Sequence, residues 1–446
     1  MSSVFRRSPG ASLPSIARGQ GVWLWDTKGR RYLDGCSGAV VVNVGHGRAE
    51  VVEAMARQGH QVAYLHAGEF TSDALEEFGA RLAALAPRGL DRIYPVSGGS
   101  EATESALKLA RAYHRLRGNP GKWRVIARRV SYHGNTMGAL SMSGHAIRRA
   151  PYGPLLLDFP HIEGPDLYRD TDPASATNTG AALEEAILSA GPDTVAAFIA
   201  EPVVGAAGGA LTAPPGHFER IREICDRYDV LFIADEVMTG VGRTGRMWGI
   251  QHSDVVPDLL VAGKGLASGY APLAAVLVSA RIHDLFTELD QPFVHGYTYS
   301  GHPIACAAGS AVLDIVAREG LAERAAARGD RLDALLHEVA ARHPIVGDVR
   351  GRGLMRGIEL VADRETKSPF PAELGVGARL GEVALRAGLC IYPGGGHLPG
   401  PAGDQALIAP PLVVEDVELG ELASRLDESL GELERELARE PSMARS

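Results

Sequence analysis

Val230-Leu231-Phe232-Ile233-Ala234-Asp235 sets five apolar residues in a row and ends them on a carboxylate. The run is too short for a buried helix and lacks the alternation of a half-exposed strand, so it reads as a strand covered on both faces. A helical stretch, Gly216 to Tyr228, precedes it, and a second apolar run, Asp258 to Ala262, follows. Working outward, further strand runs fall at Arg92 to Pro95, Arg124 to Ala127, Val195 to Glu201 and Ala274 to Ser279. Helical spacing marks Glu101 to Arg117, which stops at Gly118, and Ala181 to Ser189. Strands alternating with helices predict an α/β unit in which a largely parallel sheet is covered on both faces.

The chain has 446 residues, which makes two compact domains the natural expectation. Hydrophobic residues make up 45% and charged residues 22%, the profile of a globular protein, and no apolar run approaches the length of a bilayer span. The net charge of −9 argues against a nucleic-acid binder, because phosphate recognition needs a cationic surface. Arg128-Arg129 and Arg148-Arg149 read as solvated pairs. Cys36, Cys225, Cys306 and Cys390 are scattered without CxxC spacing, so neither a metal site nor a disulfide framework is expected. With no apolar signal segment at the start, a reducing cytoplasm is the expected compartment.

Residues 1–20 mix Ser, Pro, Gly and Arg without periodicity and read as an arm. Val22 to Trp25, a turn at Asp26 to Gly29 and Arg30 to Leu33 read as a hairpin. After His302-Pro303 the chain turns Ala-, Leu- and Arg-rich, predicting one or two amphipathic helices over 304–342. A strand over Gly353 to Leu360, helices over 372–387 and 415–439, and a loop at Gly394-Gly395-Gly396 follow.

Polar signals gather at the carboxyl ends of the predicted strands, where open α/β sheets bind ligands. Ser97-Gly98-Gly99-Ser100-Glu101-Ala102 opens a helix after a strand, so its free N–H groups suit a phosphate; alone, it equally suits an ordinary turn capped by Ser100. Asp235 is costly at the end of an apolar run unless a cation or strong donor meets it; a satisfied structural aspartate is the alternative. Lys264, between Gly263 and Gly265 after a buried strand, is either a desolvated nucleophile or a lysine in a surface turn. Gly240-Val241-Gly242-Arg243-Thr244-Gly245 matches a dinucleotide fingerprint, but Gly249 and Pro257 break the helix that such a site requires.

Taken together, Ser97 to Arg111, Tyr132-His133-Gly134, Glu201-Pro202, Asp235-Glu236-Val237 with the following GVGRTG, Lys264, and Gly296 to Pro303 resemble the class III, or ω-type, aminotransferases of fold type I. The likeness runs from about Gly21 to Leu437. It implies a pyridoxal 5'-phosphate enzyme with a large domain, a mostly parallel seven-stranded sheet covered by helices, and a smaller α+β domain made from both chain ends. The divisions it implies are an arm over 1–20, the first part of the small domain over 21–65, the cofactor-binding large domain over 66–303, and the rest of the small domain over 304–446. Lys264 would carry the cofactor as a Schiff base and move the proton. Asp235 would pair with the pyridine nitrogen. Gly99 and Ser100 would bind the phosphate, joined by Thr298 of a neighbouring subunit. Tyr132 and Val237 would cover the two ring faces, Glu201 would lie near the phenolic oxygen, and His133 is a weaker candidate. A homodimer with shared active sites, or a tetramer of such dimers, is implied.

One departure bears on substrate. Many relatives of this type place a carboxylate-binding arginine just before the segment that starts here at Gly403-Asp404, but Gly400-Pro401-Ala402 stands there. Either another cation takes over, or one substrate lacks a carboxylate near the cofactor. The second reading suits an amine or ω-amino acid donor with a 2-oxo acid acceptor such as pyruvate. Val40 falls where some relatives carry a bulky aromatic, which predicts a roomier pocket. A decarboxylating transaminase of the dialkylglycine type and an aminomutase share the same residue set. A non-catalytic cofactor-binding protein is the alternative from a different class.

Overall fold

Alternate residues of the central apolar runs face opposite ways. Phe198, Ala200, Phe232, Ala234, Leu260 and Ala262 pack into one buried cluster, while Ala197, Ile199, Leu231, Ile233, Leu259 and Val261 pack into another. A strand whose two faces are both covered must be apolar throughout, which is why these runs show no polar alternation. The first cluster takes Phe218, Ile221 and Ile224 from the helix His217–Arg227; the second takes Ala102, Ala106, Leu109 and Tyr113 from the helix Gly99–Leu116. The computed structural model describes residues 3–7, 10, 13–399 and 401–439.

The strands, in chain order, are β1 (Ile16–Gln20), β2 (Trp23–Asp26), β3 (Arg31–Asp34), β4 (Arg92–Val96), β5 (Arg124–Arg128), β6 (His161–Ile162), β7 (Val195–Ala200), β8 (Val203–Val204), β9 (Leu211–Thr212), β10 (Leu231–Asp235), β11 (Leu259–Ala262) and β12 (Ala274–Val278). They continue with β13 (Val346–Arg352), β14 (Met355–Leu360), β15 (Leu389–Cys390), β16 (Tyr392–Gly395) and β17 (Asp404–Ile408). The main sheet has seven strands in the order β4-β12-β11-β10-β7-β5-β6. β12 runs antiparallel to both of its neighbours, and the other pairs are parallel. The fold is therefore α/β with a mostly parallel sheet.

A smaller α+β unit draws on both chain ends. β3 pairs in parallel with β15, so Leu33 lies opposite Leu389, and β13-β14-β17-β16 form a second four-stranded sheet. Arg243, from the GVGRTG turn, joins this unit to the large one. Its buried guanidinium donates to the carbonyls of Leu354 and Pro410, to Ser37 Oγ and to Asn43 Oδ1, at 2.6–3.1 Å. The glycine-rich turn is thus an inter-unit brace, and only a 3-10 turn, Gly249–His252, follows it.

The chain ends and the later segments add detail to these expectations, and two of them need correction, the arm over 1–20 and the loop at Gly394-Gly395-Gly396. The arm over 1–20 contains β1, an edge strand paired with β2; its polar sequence hides it, and Arg18 holds it by lying 3.6 Å over the Trp25 ring. Residues 1, 2, 8, 9, 11 and 12 of that arm, Gly400, and 440–446 lie outside the described residues. The stretch 304–342 is two helices, Pro303–Arg318 and Leu321–Arg342. The strand over Gly353 to Leu360 is the second arm of a hairpin that turns at Gly353 and Leu354. Gly394 and Gly395 are not loop but the end of β16, where a Cβ on Gly394 would collide with the Gln405 side chain; only Gly396 takes a left-handed φ, +76°.

Candidate active site

Parallel strands point their carboxyl ends the same way, so the residues that follow β4, β5, β7, β10 and β11 meet at one edge of the sheet. There Gly99, Ser100, Tyr132, His133, Gly134, Glu201, Asp235, Val237, Met238 and Lys264 line a cavity of about 160 Å³. That is close to the volume of a dry cavity that holds one benzene ring, roughly 150 Å³. Larger hollows of about 530 and 600 Å³ flank Phe286 and Phe293, but neither encloses a buried carboxylate.

Asp235 ends β10 and is 3% exposed. Its Oδ2 accepts from His133 Nδ1 at 2.7 Å and its Oδ1 from the Val237 N–H at 3.0 Å. Both oxygens are therefore held, and the carboxylate cannot rotate freely. His133 is fixed in turn, its backbone N–H donating to Ser143 Oγ at 2.8 Å, and its ring Nε2 is buried without a partner among the described residues.

Glu201 follows β7 and accepts from the N–H groups of Tyr132 at 3.0 Å and Gly205 at 2.8 Å. Burial raises its carboxyl pKa, and the nearby Asp235 charge pushes the same way, against the opposing pull of His133. Lys264 is half-buried at a left-handed φ of +44°, a conformation a non-glycine residue adopts under constraint. Burial lowers its ammonium from the usual lysine range to about 8; Asp235 and Glu201 oppose the fall and Arg148 adds to it.

At the start of the helix Gly99–Leu116 the N-cap, Gly98, offers no side chain to the first-turn N–H groups. Those donors are left for a ligand. Gly99 is needed for close approach: a Cβ there would stand 3.1 Å from Val237. Glu104, one turn further, accepts from the N–H groups of Gly138 and Ala139 and so anchors the segment after Tyr132 to the same helix.

The structure thus gathers eight of the ten residues singled out in the sequence: Gly99, Ser100, Tyr132, His133, Glu201, Asp235, Val237 and Lys264. Thr298 stands apart, exposed, its carbonyl accepting from Tyr64 Oη at 3.1 Å. Val40 is buried beside Met238 and Met355 in a cluster that also packs against Tyr132 and Tyr392, and it is not among the residues that line the cavity.

Sequence reasoning missed two arginines by treating both pairs as solvated. Arg128 is 2% exposed and donates to the Glu201 carbonyl, and burial lowers its guanidinium to about 10. Arg148 lies 4.4 Å over the Tyr132 ring.

Residues 6–430 match the family model described as aminotransferase class-III. The chain is 40% identical to an uncharacterized aminotransferase, YodT, of Bacillus subtilis over 433 residues, 96% of this chain and 98% of the relative. It is 37% identical to a taurine–pyruvate aminotransferase of Bilophila wadsworthia, over 95% of this chain and 93% of the relative. Among solved structures, an amine transaminase from an uncultivated Pseudomonas species, in its PLP-bound form, superposes with a TM-score of 0.88 at 37% identity, covering 97% of this chain and 99% of that one. The edge-of-sheet site and these likenesses agree, and the chain belongs to the class III aminotransferases, as a pyridoxal-phosphate-dependent transaminase of fold type I.

Proposed function

We propose that the chain transfers an amino group from an amine or ω-amino acid to a 2-oxo acid such as pyruvate, with pyridoxal phosphate attached through Lys264. The observation that carries this reading is the pairing of a half-buried amine with a fixed, buried aspartate across one ring-sized cavity. The names of the taurine–pyruvate and amine-transaminase relatives support the acceptor and the donor class.

The residues fit the cofactor. The uncapped helix start suits a phosphate, Asp235 suits a protonated ring nitrogen, and Lys264 suits an aldehyde. When bound, pyridoxal phosphate supplies an electron-accepting ring that stabilises charge as a proton leaves the donor carbon. Lys264 would take and return that proton, Asp235 would keep the ring nitrogen protonated, and Tyr132 and Val237 would confine the ring. Glu201 holds the Tyr132 backbone in place through its accepted hydrogen bond. In a homodimer, Thr298 of the partner subunit would complete the phosphate cup.

The depressed Lys264 value gives a pH dependence. Only the neutral amine attacks a carbonyl, and the group loses its proton near pH 8 instead of near 10.4. Attachment of pyridoxal phosphate to cofactor-free protein, followed by stopped-flow absorbance, is therefore expected to accelerate about tenfold per pH unit below 8 and to level off above it. An acceleration that continues to pH 10 contradicts the desolvated-lysine account.

The substrate class is tested by steady-state rates across a panel of amines, ω-amino acids and 2-oxo acids. Turnover of simple amines with pyruvate is the expected result. Efficient reaction of α-amino acid pairs alone overturns the donor assignment.

A further inference from the structure

The cavity lining holds two buried carboxylates, Asp235 and Glu201, and one amine, Lys264; buried Arg128 balances the carboxylates from outside the lining. A 2-oxo acid entering the cavity brings another negative charge, and enclosing that charge is unfavourable without a further cation. Two adjacent arginines lie at this edge of the fold, and they are used differently. Arg149 is committed to the backbone: its Nη1 donates to the carbonyls of Leu140, Ser141 and Ser143 at 2.8, 2.9 and 2.7 Å. That side chain pins the segment after Tyr132 and has no donors to spare on that nitrogen.

Arg148 is not committed. Its guanidinium lies 4.4 Å over the ring of Tyr132, and its Nη2 makes a long 3.3 Å bond to the hydroxyl of Tyr392. Among the described residues no carboxylate pairs with it, whereas other buried or partly buried arginines, such as Arg222 and Arg350, are paired that way. Tyr132 is a wall of the cavity, so this half-buried guanidinium is separated from the interior by one aromatic side chain. Its charge is felt inside: burial lowers the Lys264 pKa and Arg148 adds to that fall, while burial raises the Tyr132 pKa and Arg148 opposes that rise. Arg7, exposed, also acts on Tyr132 but not on Lys264.

We propose that Arg148 binds the substrate carboxylate, turning over the Tyr132 ring to present its paired N–H groups to the 2-oxo acid acceptor. A guanidinium slides on an aromatic face at little cost and offers a planar fork that matches a carboxylate. Tyr392, on β16, is the partner it leaves, and a single long hydrogen bond is weak enough to exchange. Arg148 then sets specificity: it favours substrates with a carboxylate next to the carbonyl and contributes little to amines that have none.

This inference rests on the transamination reading above, and the experiment separates the two. Half-reactions are followed by cofactor absorbance for the wild type, Arg148→Gln and Arg148→Lys, using isopropylamine as donor and either pyruvate or acetaldehyde as acceptor. The two acceptors differ by the carboxylate alone. Arg148→Gln is expected to lower the second-order rate constant with pyruvate by about 10- to 100-fold, the usual worth of a charge-assisted pair. The constants for acetaldehyde and isopropylamine are expected to change less than about threefold, and Arg148→Lys is expected to recover part of the pyruvate rate. Equal losses with all three substrates, or an unchanged pyruvate rate, overturn the assignment of Arg148. A wild type that transfers no amino group to pyruvate from any donor overturns the activity reading itself, and this inference with it.

Discussion

Replacing Lys264 by alanine is expected to lower turnover by at least about ten-thousand-fold and to leave no covalently held pyridoxal phosphate. In the proposed reaction the side chain serves two steps, attachment and proton transfer, and a positioned acid–base group alone accounts for about 10²- to 10⁴-fold. No neighbour can replace it. Among the lining residues of the cavity Lys264 supplies the amine, and the remaining titratable side chains are Tyr132, His133, Glu201 and Asp235. Its backbone is held at a φ of +44° between Gly263 and Gly265, so the loop is shaped to present this residue. Alanine at that φ keeps the strain while removing the amine, so a thermal unfolding curve close to that of the wild type, alongside lost activity, separates chemistry from folding. Retained turnover in Lys264→Ala would contradict the mechanism.

Asp235→Asn is expected to cost about a hundred- to a thousand-fold in kcat while sparing cofactor attachment, the range seen when one preorganised electrostatic group is removed. Asparagine keeps the size of the side chain and can still accept from the Val237 N–H, but it lacks the charge that holds a ring nitrogen protonated. The bond from His133 Nδ1 is the sensitive point. It can be kept by the amide oxygen only if that oxygen turns away from Val237, so the substitution disturbs a site in which both carboxylate oxygens are used. The two variants are expected to divide the work: Lys264→Ala should lose the covalent link, whereas Asp235→Asn should retain it and lose rate. A rate loss in Asp235→Asn explained entirely by weaker cofactor binding would contradict the electronic assignment.

The sheet and most of the site were readable from sequence because both depend on local signals. An apolar run covered on both faces is written in consecutive residues, which is why β4, β5, β7, β10, β11 and β12 lie within one residue of their expected ends. Asp235, Lys264 and the Ser97 to Ala102 turn sit immediately after such runs, so strand placement also placed them. β6, two residues long, has no pattern to read and is fixed only by pairing with β5.

The rest depends on contacts between distant residues. That His133 meets Asp235, 102 positions away, follows from the ends of β5 and β10 opening on the same edge of the sheet, either side of β7, and from no spacing in the chain. Arg128 and Arg148 looked like surface charges because adjacent arginines usually are; what distinguishes them is a carbonyl just past the end of β7 and a tyrosine ring sixteen residues back. The GVGRTG turn shows the reverse. Its local pattern suggested nucleotide binding, whereas tertiary packing makes Arg243 a brace between the two units.

The central claim, that Lys264 carries the cofactor, is tested most directly by borohydride reduction of the pyridoxal-phosphate-loaded protein followed by peptide mass mapping. A single phosphopyridoxyl adduct on Lys264, absent when an amine donor is added before reduction, is the predicted result. An adduct on another lysine, or none on a protein that still transaminates, would contradict the account.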